Sequence, residues 1–412
     1  MPVIFIHGVN NRKEDPGYEA QRLITARFLK KHLTGAKING KTLGQFLPVF
    51  PYWGDLGISF AWKMQSLPVA GAEELGPAVE DNLRPLVASL YDAVADPASV
   101  TDAPLLKLAQ HSFPRAIDLL AQLVLSSAAP EDAEAASDFV FQAQEYAAQF
   151  EDPKVLPPWL SKVKNDPQFI DALFGALQDQ AQQVTGKPDT DALGLADAFS
   201  NVVSRLADMF KKATKEVATA TLDRVGDYAS TKLLAWSRAS LNATLGRFTG
   251  DVFTYMDSRG QAGAAGPIPS LVLTDIIDAV DAQPDEPLVV IGHSLGGVIA
   301  YDLFSHFAPE LKVDLFISIG SQVSHFEEMK LFKQRRLDVP GAGGAKMPKP
   351  ANVFEWLNIY DPVDIFSYAC EEVFEGVQDF DYDTKTYVMK AHGAYFEQAR
   401  FYERLRIRIN EL

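Results

Sequence analysis

One cysteine, Cys370, stands in 412 residues. A lone thiol excludes an intrachain disulfide, and with it any dependence of the fold on an oxidising compartment. Basic residues are also scarce, 38 Lys and Arg against 54 Asp and Glu, for a formal net charge of -16. Phosphate backbones are bound by clustered Lys and Arg, which no obvious element of this chain gathers, so a nucleic-acid partner is not expected. Runs of the roughly 20 apolar residues that span a bilayer are missing, so no transmembrane segment is expected. The opening stretch, MPVIFIHGVNN, has no basic leader. A conventional secretory signal is therefore not expected and a cytoplasmic location is; export that reads no such signal, and peripheral membrane contact, stay open. No His-Glu-x-x-His or paired-Cys spacing occurs, so neither zinc nor another metal is expected. No internal repeat of fixed period is found. What remains, 47% hydrophobic and 22% charged, is the composition of an ordinary globular protein.

Strand-like apolar runs lie at Val3 to Ile6, Phe46 to Tyr52, Leu288 to Ile291, Leu315 to Ile319, Phe354 to Tyr360 and Thr386 to Met389. Between them run helical patterns, among them Tyr18 to Leu33, Ile268 to Val280 and Gly297 to Phe307. Strand alternating with helix predicts an α/β protein with a mostly parallel, six-stranded sheet and helices on both faces. Pro48 cannot donate to a ladder, which places the second strand at an edge. From about residue 61 to 250 the alternation stops, and alanine-rich acidic stretches at helical period replace it, as in Leu195, Phe199, Val202, Leu206, Met209, Ala213 and Val217. Residues 1–60 and 251–412 thus read as one core and 61–250 as an all-helical cap inserted into it. A separate partner-binding helical domain is the alternative.

The densest signal is PLVVIGHSLGGVIAYDLF, residues 287 to 304. A short apolar run is followed by Gly292, His293, Ser294, Leu295 and Gly296, then by apolar residues at helical spacing. Gly-x-Ser-x-Gly on a strand-to-helix turn lets strand and helix approach closely and holds the serine in a strained, exposed turn. Ser294 is the candidate nucleophile. A hydroxyl needs a base, a group orienting that base, and donors for an oxyanion. His392, in VMKAHGAYF, is the best base of the seven histidines because it follows the last strand-like run and precedes Gly393. In YDPVDIFSY, Asp361 and Asp364 both stand in the turn after a strand, and either could orient the imidazole. The backbone amides of Val9, after His7-Gly8 at the end of the first strand, and of Leu295 are the candidate oxyanion donors.

In the order Ser294, Asp364, His392 the chain resembles the α/β-hydrolase superfamily, in its lipase and serine-esterase branch. The resemblance covers residues 1–56 and 251–412, through HG after the first strand, GHSLGG, the YDPVDIFS turn and AHGAYF. It implies that the second aspartate of the D-P-x-D turn, Asp364, is the acid, with Asp361 as the alternative. It implies also the minimal six-stranded form of that fold, since the first two strands of the full form are missing. A serine hydrolase of carboxylic esters, preferring lipid-like acyl esters and needing no cofactor, is the expectation. A peptidase or thioesterase on the same residues, or a non-catalytic protein binding partners through its cap, are the alternatives.

Three further stretches are weighed. GAKINGKT, Gly35 to Thr42, has Walker A spacing, but a phosphate loop follows a strand and opens a helix, whereas here a helix precedes and a strand follows. A turn at Asn39-Gly40 is expected instead. DFDYD, Asp379 to Asp383, begins like a calcium loop yet lacks the later glycine and glutamate, so a solvated acidic turn is expected. Aromatics in PYWGDLGISFAW suggest Tyr52 and Trp53 as an apolar wall for substrate, or as core packing beneath the cap.

Overall fold

A computed structural model describes residues 2–38, 40–66, 103–185, 245–386 and 388–412. The periodic run from Leu195 to Val217 lies outside the described residues. Five parallel strands form the central sheet in chain order: β1 (Val3–Ile6), β2 (Val289–His293), β3 (Val313–Ile319), β4 (Val353–Tyr360) and β5 (Gln378–Asp381). Helices are α1 (Tyr18–Leu33), α2 (Pro104–His111), α3 (Phe113–Ser127), α4 (Ala133–Ala147), α5 (Asp166–Thr185), α6 (residues 245–258), α7 (Pro267–Asp281), α8 (Leu295–Asp302), α9 (Val323–Glu328), α10 (Val388–Ala394) and α11 (Ala399–Asn410).

Side chains alternate across each strand, so the buried runs feed two cores. Val3, Phe5, Val289, Ile291, Leu315 and Ile317 pack with α1, α3, α4 and α11 on one face. Ile4, Ile6, Val290, Phe316 and Trp356 pack with α7 and α8 on the other. The helices between residues 104 and 185 belong to the first core, where Phe113, Ile117, Phe139 and Phe169 share a cluster with Ile24 and Phe28 of α1. A buried ion pair from Asp118 in α3 to Arg400 in α11, 2.7 Å long, ties these helices to the C-terminal part of the chain.

Two strand assignments differ from the sequence reading. At Phe46 to Tyr52 the sheet gains only an isolated bridge, Val49 beside Ile4 at the edge. Val49 exchanges hydrogen bonds of 2.8 Å with Val3 and Phe5, and Pro51, at the next position that would donate to β1, has no N–H with which to continue the ladder. At the other edge the fifth strand is Gln378–Asp381, which overlaps the stretch Asp379 to Asp383 read as an acidic turn, while Val388–Ala394 is helix and Tyr387 lies outside the described residues. The acids suit an edge strand whose side chains are largely solvated. Asp379 also ties the strand to its neighbours, since its carboxylate accepts the amides of Cys370 and Glu371 and the Asn358 side chain at 2.8 to 3.0 Å.

The Walker-like stretch folds as a short antiparallel pair, Lys37–Ile38 with Lys41–Thr42, and Gly40 takes φ +74° at its turn; Asn39 lies outside the described residues. No helix N-terminus follows it. Among the described residues no helix is long and apolar enough to cross a membrane.

Candidate active site

Ser294 is the pivot between β2 and α8, with φ 53° and ψ -127°. A β-carbon-bearing residue in that region is strained by roughly 1–3 kcal/mol and persists only where its surroundings dictate it. Here they do: the Ser294 amide donates to Ile319 at 3.0 Å, and its carbonyl accepts the Ser321 hydroxyl at 2.7 Å. Gly296 admits β1 rather than the preceding strand, because a β-carbon there would lie 2.1 Å from the Ile6 carbonyl oxygen. That close approach brings the turn after β1 onto the serine. A β-carbon on Gly8 would stand 2.6 Å from Ser294 Cβ.

His392 lies in α10, not directly after a strand, and its Nδ1 is 2.9 Å from Asp364 Oδ2 and 3.1 Å from Oδ1. Asp364, whose side chain is fully buried, also accepts the Phe366 amide at 2.9 Å and the Tyr395 hydroxyl at 3.2 Å. Burial raises the Tyr395 pKa, so the phenol stays a donor. With Nδ1 committed to a carboxylate, the imidazole carries its proton there and presents Nε2 as an acceptor. His392 Nε2 is buried and has no hydrogen-bond partner among the described residues. The His392 backbone is held beside the serine by His293, whose Nε2 donates to the His392 carbonyl at 2.7 Å. Burial keeps His293 neutral, its pKa pushed well below the ordinary value, with the neighbouring His392 adding to the shift.

No hydrogen bond joins Ser294 to His392; among the described residues the hydroxyl has only Gln322 Nε2, at 3.5 Å. The same Gln322 nitrogen reaches the carbonyl of Phe366, and the Phe366 ring centroid lies 5.1 Å from that of His392. Ser294, Asp364 and His392 therefore converge on one region at the C-terminal ends of the strands.

Asp361 faces elsewhere. Its carboxylate accepts the Thr384 amide at 2.9 Å, the Thr384 hydroxyl at 2.6 Å and the Val363 amide at 2.8 Å. Thr384 in turn receives Gln398 and Arg400 on its carbonyl, so Asp361 anchors the loop that leads into α10.

The Val9 and Leu295 amides occupy different situations. Leu295 opens α8, where a first-turn N–H has no intrahelical acceptor. Val9 is set by the peptide that precedes it: the Gly8 carbonyl accepts His7 Nδ1 at 2.8 Å and Asn11 Nδ2 at 3.2 Å. In a trans peptide N–H and C=O point in opposite directions, so these two donors turn the Val9 N–H away from themselves. The next residue, Asn10, donates its amide at 2.8 Å to Asp251 of α6. Asp251, fully buried, also holds Arg12 at 2.6 Å and the Ile58 amide at 2.8 Å.

Tyr52 and Trp53 are not a substrate wall. Trp53 is wholly buried, stacks on His7 with centroids 4.8 Å apart, donates its indole N–H to the His7 carbonyl at 3.0 Å and its amide to His7 Nε2 at 3.2 Å. Tyr52 lines a surface groove with Tyr18, Arg22 and Phe50 that includes none of Ser294, Asp364 and His392, and its hydroxyl donates to Asp55. Asn11, Asp251 and Gln322 were not singled out in the sequence. Only Asn11, two residues past Val9 in HGVNN, carried a local signal.

His7 accepts at Nε2 and donates at Nδ1, so it must be neutral, and burial pushes its pKa from 6.5 down to about 4. The unfolded chain then binds a proton that the folded one refuses. Stability from His7 is complete above about pH 6.5 and declines as pH falls towards about 4, by about 3 kcal/mol. Denaturant unfolding of wild type and His7→Gln across that window checks this: the wild type's advantage shrinks by that amount on acidification. A constant gap refutes it.

No protein-family model, curated protein or solved structure matches this chain. Its chemistry is therefore read from the side chains themselves. A serine hydroxyl on a strained turn, an imidazole with a bare Nε2 and a carboxylate behind it are the kinds of group that proton transfer from a nucleophile requires. The buried Cys370 thiol, with its pKa pushed up to about 12, is no rival nucleophile. Among the described residues no group of three or more His, Cys, Asp or Glu side chains could hold a metal ion.

Proposed function

We propose that the protein is a serine hydrolase of carboxylic esters, of the lipase and serine-esterase branch of the α/β-hydrolase superfamily. One observation carries the reading: Asp364 holds His392 by Nδ1 and leaves Nε2 buried and unpartnered, while the His392 carbonyl is tied to His293, the residue before a serine at φ 53°. His392 takes the Ser294 proton as the oxygen attacks the ester carbonyl, and the Val9 and Leu295 amides receive the oxyanion. The imidazolium then gives that proton to the departing alcohol, and water, activated by the same base, releases the acid from the acyl-enzyme. Each amide of such a hole is worth about 2.7–4 kcal/mol in the transition state. On this reading the Val49 bridge is the remnant of a sixth strand, and the cap expected at residues 61–250 is described mainly over α2 to α5, which pack with α1 and α11.

A lipid-like acyl ester is the proposed substrate. Its support is the large helical insertion together with Phe366, stacked on Phe248 of α6 at 4.4 Å beside His392, an apolar contact for a chain. Incubation of purified protein with a fluorophosphonate probe tests the chemistry: Ser294 is labelled. An unlabelled folded protein overturns it. A panel of soluble esters, acylglycerols, phospholipids and amides then tests the substrate, and turnover of amides alone moves the reading to a peptidase.

Asp251 gives this reading a remote handle. Asp251→Ala leaves Arg12 buried and uncompensated, an expected loss of about 3–5 kcal/mol. It also frees the Asn10 amide next to the Val9 donor, so kcat falls by up to the roughly 100-fold that one missing oxyanion donor costs. Unfolding midpoints and kcat measured on the same preparation check both. Loss of stability with unchanged kcat separates the two roles.

A further inference from the structure

Gln322 follows β3 by way of Gly320 and Ser321 and is almost completely buried. Its Nε2 donates to two backbone carbonyls, Gly320 at 3.1 Å and Phe366 at 2.5 Å. Those partners settle which end of the amide is which, because the flipped side chain would set its oxygen against two carbonyl oxygens. Both Nε2 hydrogens are then in use, and the 3.5 Å approach to Ser294 Oγ is too long to count as a strong third bond. The other end of the amide is different. Gln322 Oε1 is buried with no donor among the described residues, as is His392 Nε2.

The two unpartnered atoms differ in what they can do. His392 Nε2 has work in the proposed reaction, since it receives the serine proton. Gln322 Oε1 has none, because an acceptor near the nucleophile opposes an oxyanion instead of stabilising it. A buried acceptor left open is costly to a protein, and what relieves it is a donor.

We infer that the donor arrives with the substrate: Gln322 Oε1 accepts a hydroxyl or amide N–H carried within two carbons of the scissile ester group, and selects for it. This rests on the serine-hydrolase reading and names the substrate class of the same site. The donor can sit on either side of the ester, as in a 2-hydroxyacyl ester or in an ester of a vicinal diol such as a partial glyceride.

The experiment uses two matched pairs on the full chain, with acid release followed by titration. On the acyl side ethyl 2-hydroxybutanoate is compared with ethyl 2-methoxybutanoate, and on the alcohol side 2-hydroxyethyl butanoate with 2-methoxyethyl butanoate. One pair is expected to show a preference of about 100-fold in kcat/KM for the hydroxyl member, and that pair identifies the side. Gln322→Met, which keeps the length and removes the Oε1 acceptor together with the two Nε2 bonds, brings the pair to within about threefold, a ratio read on one preparation and so independent of any fall in overall rate. Wild-type protein that is labelled and hydrolyses both members of both pairs equally overturns the inference and leaves the hydrolase reading standing. Protein that is neither labelled nor active on any ester removes both.

Discussion

Ser294→Ala is expected to abolish fluorophosphonate labelling and to lower ester turnover by a factor on the order of 10⁶, with no loss of folding stability. The combination is what distinguishes a reacting hydroxyl from a structural one. A buried serine that supports a fold spends its hydroxyl on a hydrogen bond, and its removal costs about 0.5–1.5 kcal/mol. Among the described residues the Ser294 hydroxyl makes only the 3.5 Å approach to Gln322 Nε2, so the fold gains little from it. The backbone, by contrast, is held at φ 53°, where alanine is as strained as serine. Ser294→Gly is therefore expected to be equally inactive and more stable than wild type by about 1 kcal/mol, since glycine enters that region freely. Denaturant midpoints and labelling on the three proteins check the pair of effects. If alanine destabilised the chain and left ester turnover intact, Ser294 would be a structural residue in a glycine turn.

Sequence legibility follows how local each feature is. β1 and the helix Tyr18–Leu33 are written in consecutive residues, as an unbroken apolar run and a periodic one, and the Ser294 turn is bounded by glycines on a strand-to-helix switch. β5 is not legible in this way, because an edge strand needs no apolar alternation and Gln378–Asp381 offers two acids and a single phenylalanine. The expected strand at Thr386 to Met389 failed for a related reason. Its last two residues, Val388 and Met389, open the helix carrying His392, and apolar runs of that length do not tell helix from strand. Distance in the chain hides the rest. Asp251 meets Asn10 and Arg12 across about 240 positions, Gln322 meets Phe366 across 44, and neither contact leaves a periodic trace. For Trp53 the sequence left a ligand wall and core packing both open, and the choice of core packing depends on a stacking partner, His7, that stands 46 residues earlier.

Asp364→Asn is expected to lower kcat/KM by about 10⁴-fold, and Asp361→Asn to leave it far less affected while costing about 1–3 kcal/mol of stability. Three donors converge on the Asp364 carboxylate: His392 Nδ1, the Tyr395 hydroxyl and the Phe366 amide. A carboxylate only accepts, so it satisfies all three at once. An amide in its place must turn its NH2 towards one of them. The Phe366 N–H on Oδ1 cannot adapt, so the NH2 takes the Oδ2 place, where the Tyr395 hydroxyl can turn to accept it and the imidazole yields by moving its proton from Nδ1 to Nε2. Nε2 is then a donor, and the atom that should take the serine proton already holds one. At Asp361 the donors are Thr384 and Val363, with no imidazole among them, so the amide loosens the loop before α10 and leaves the tautomer of His392 alone. Steady-state rates with denaturation midpoints separate the cases, and the imidazole ¹⁵N shifts of His392 report the tautomer directly. Should Asp361→Asn prove the inactive variant, with Asp364→Asn active and its tautomer unchanged, the carboxylate that matters would be the one holding Thr384.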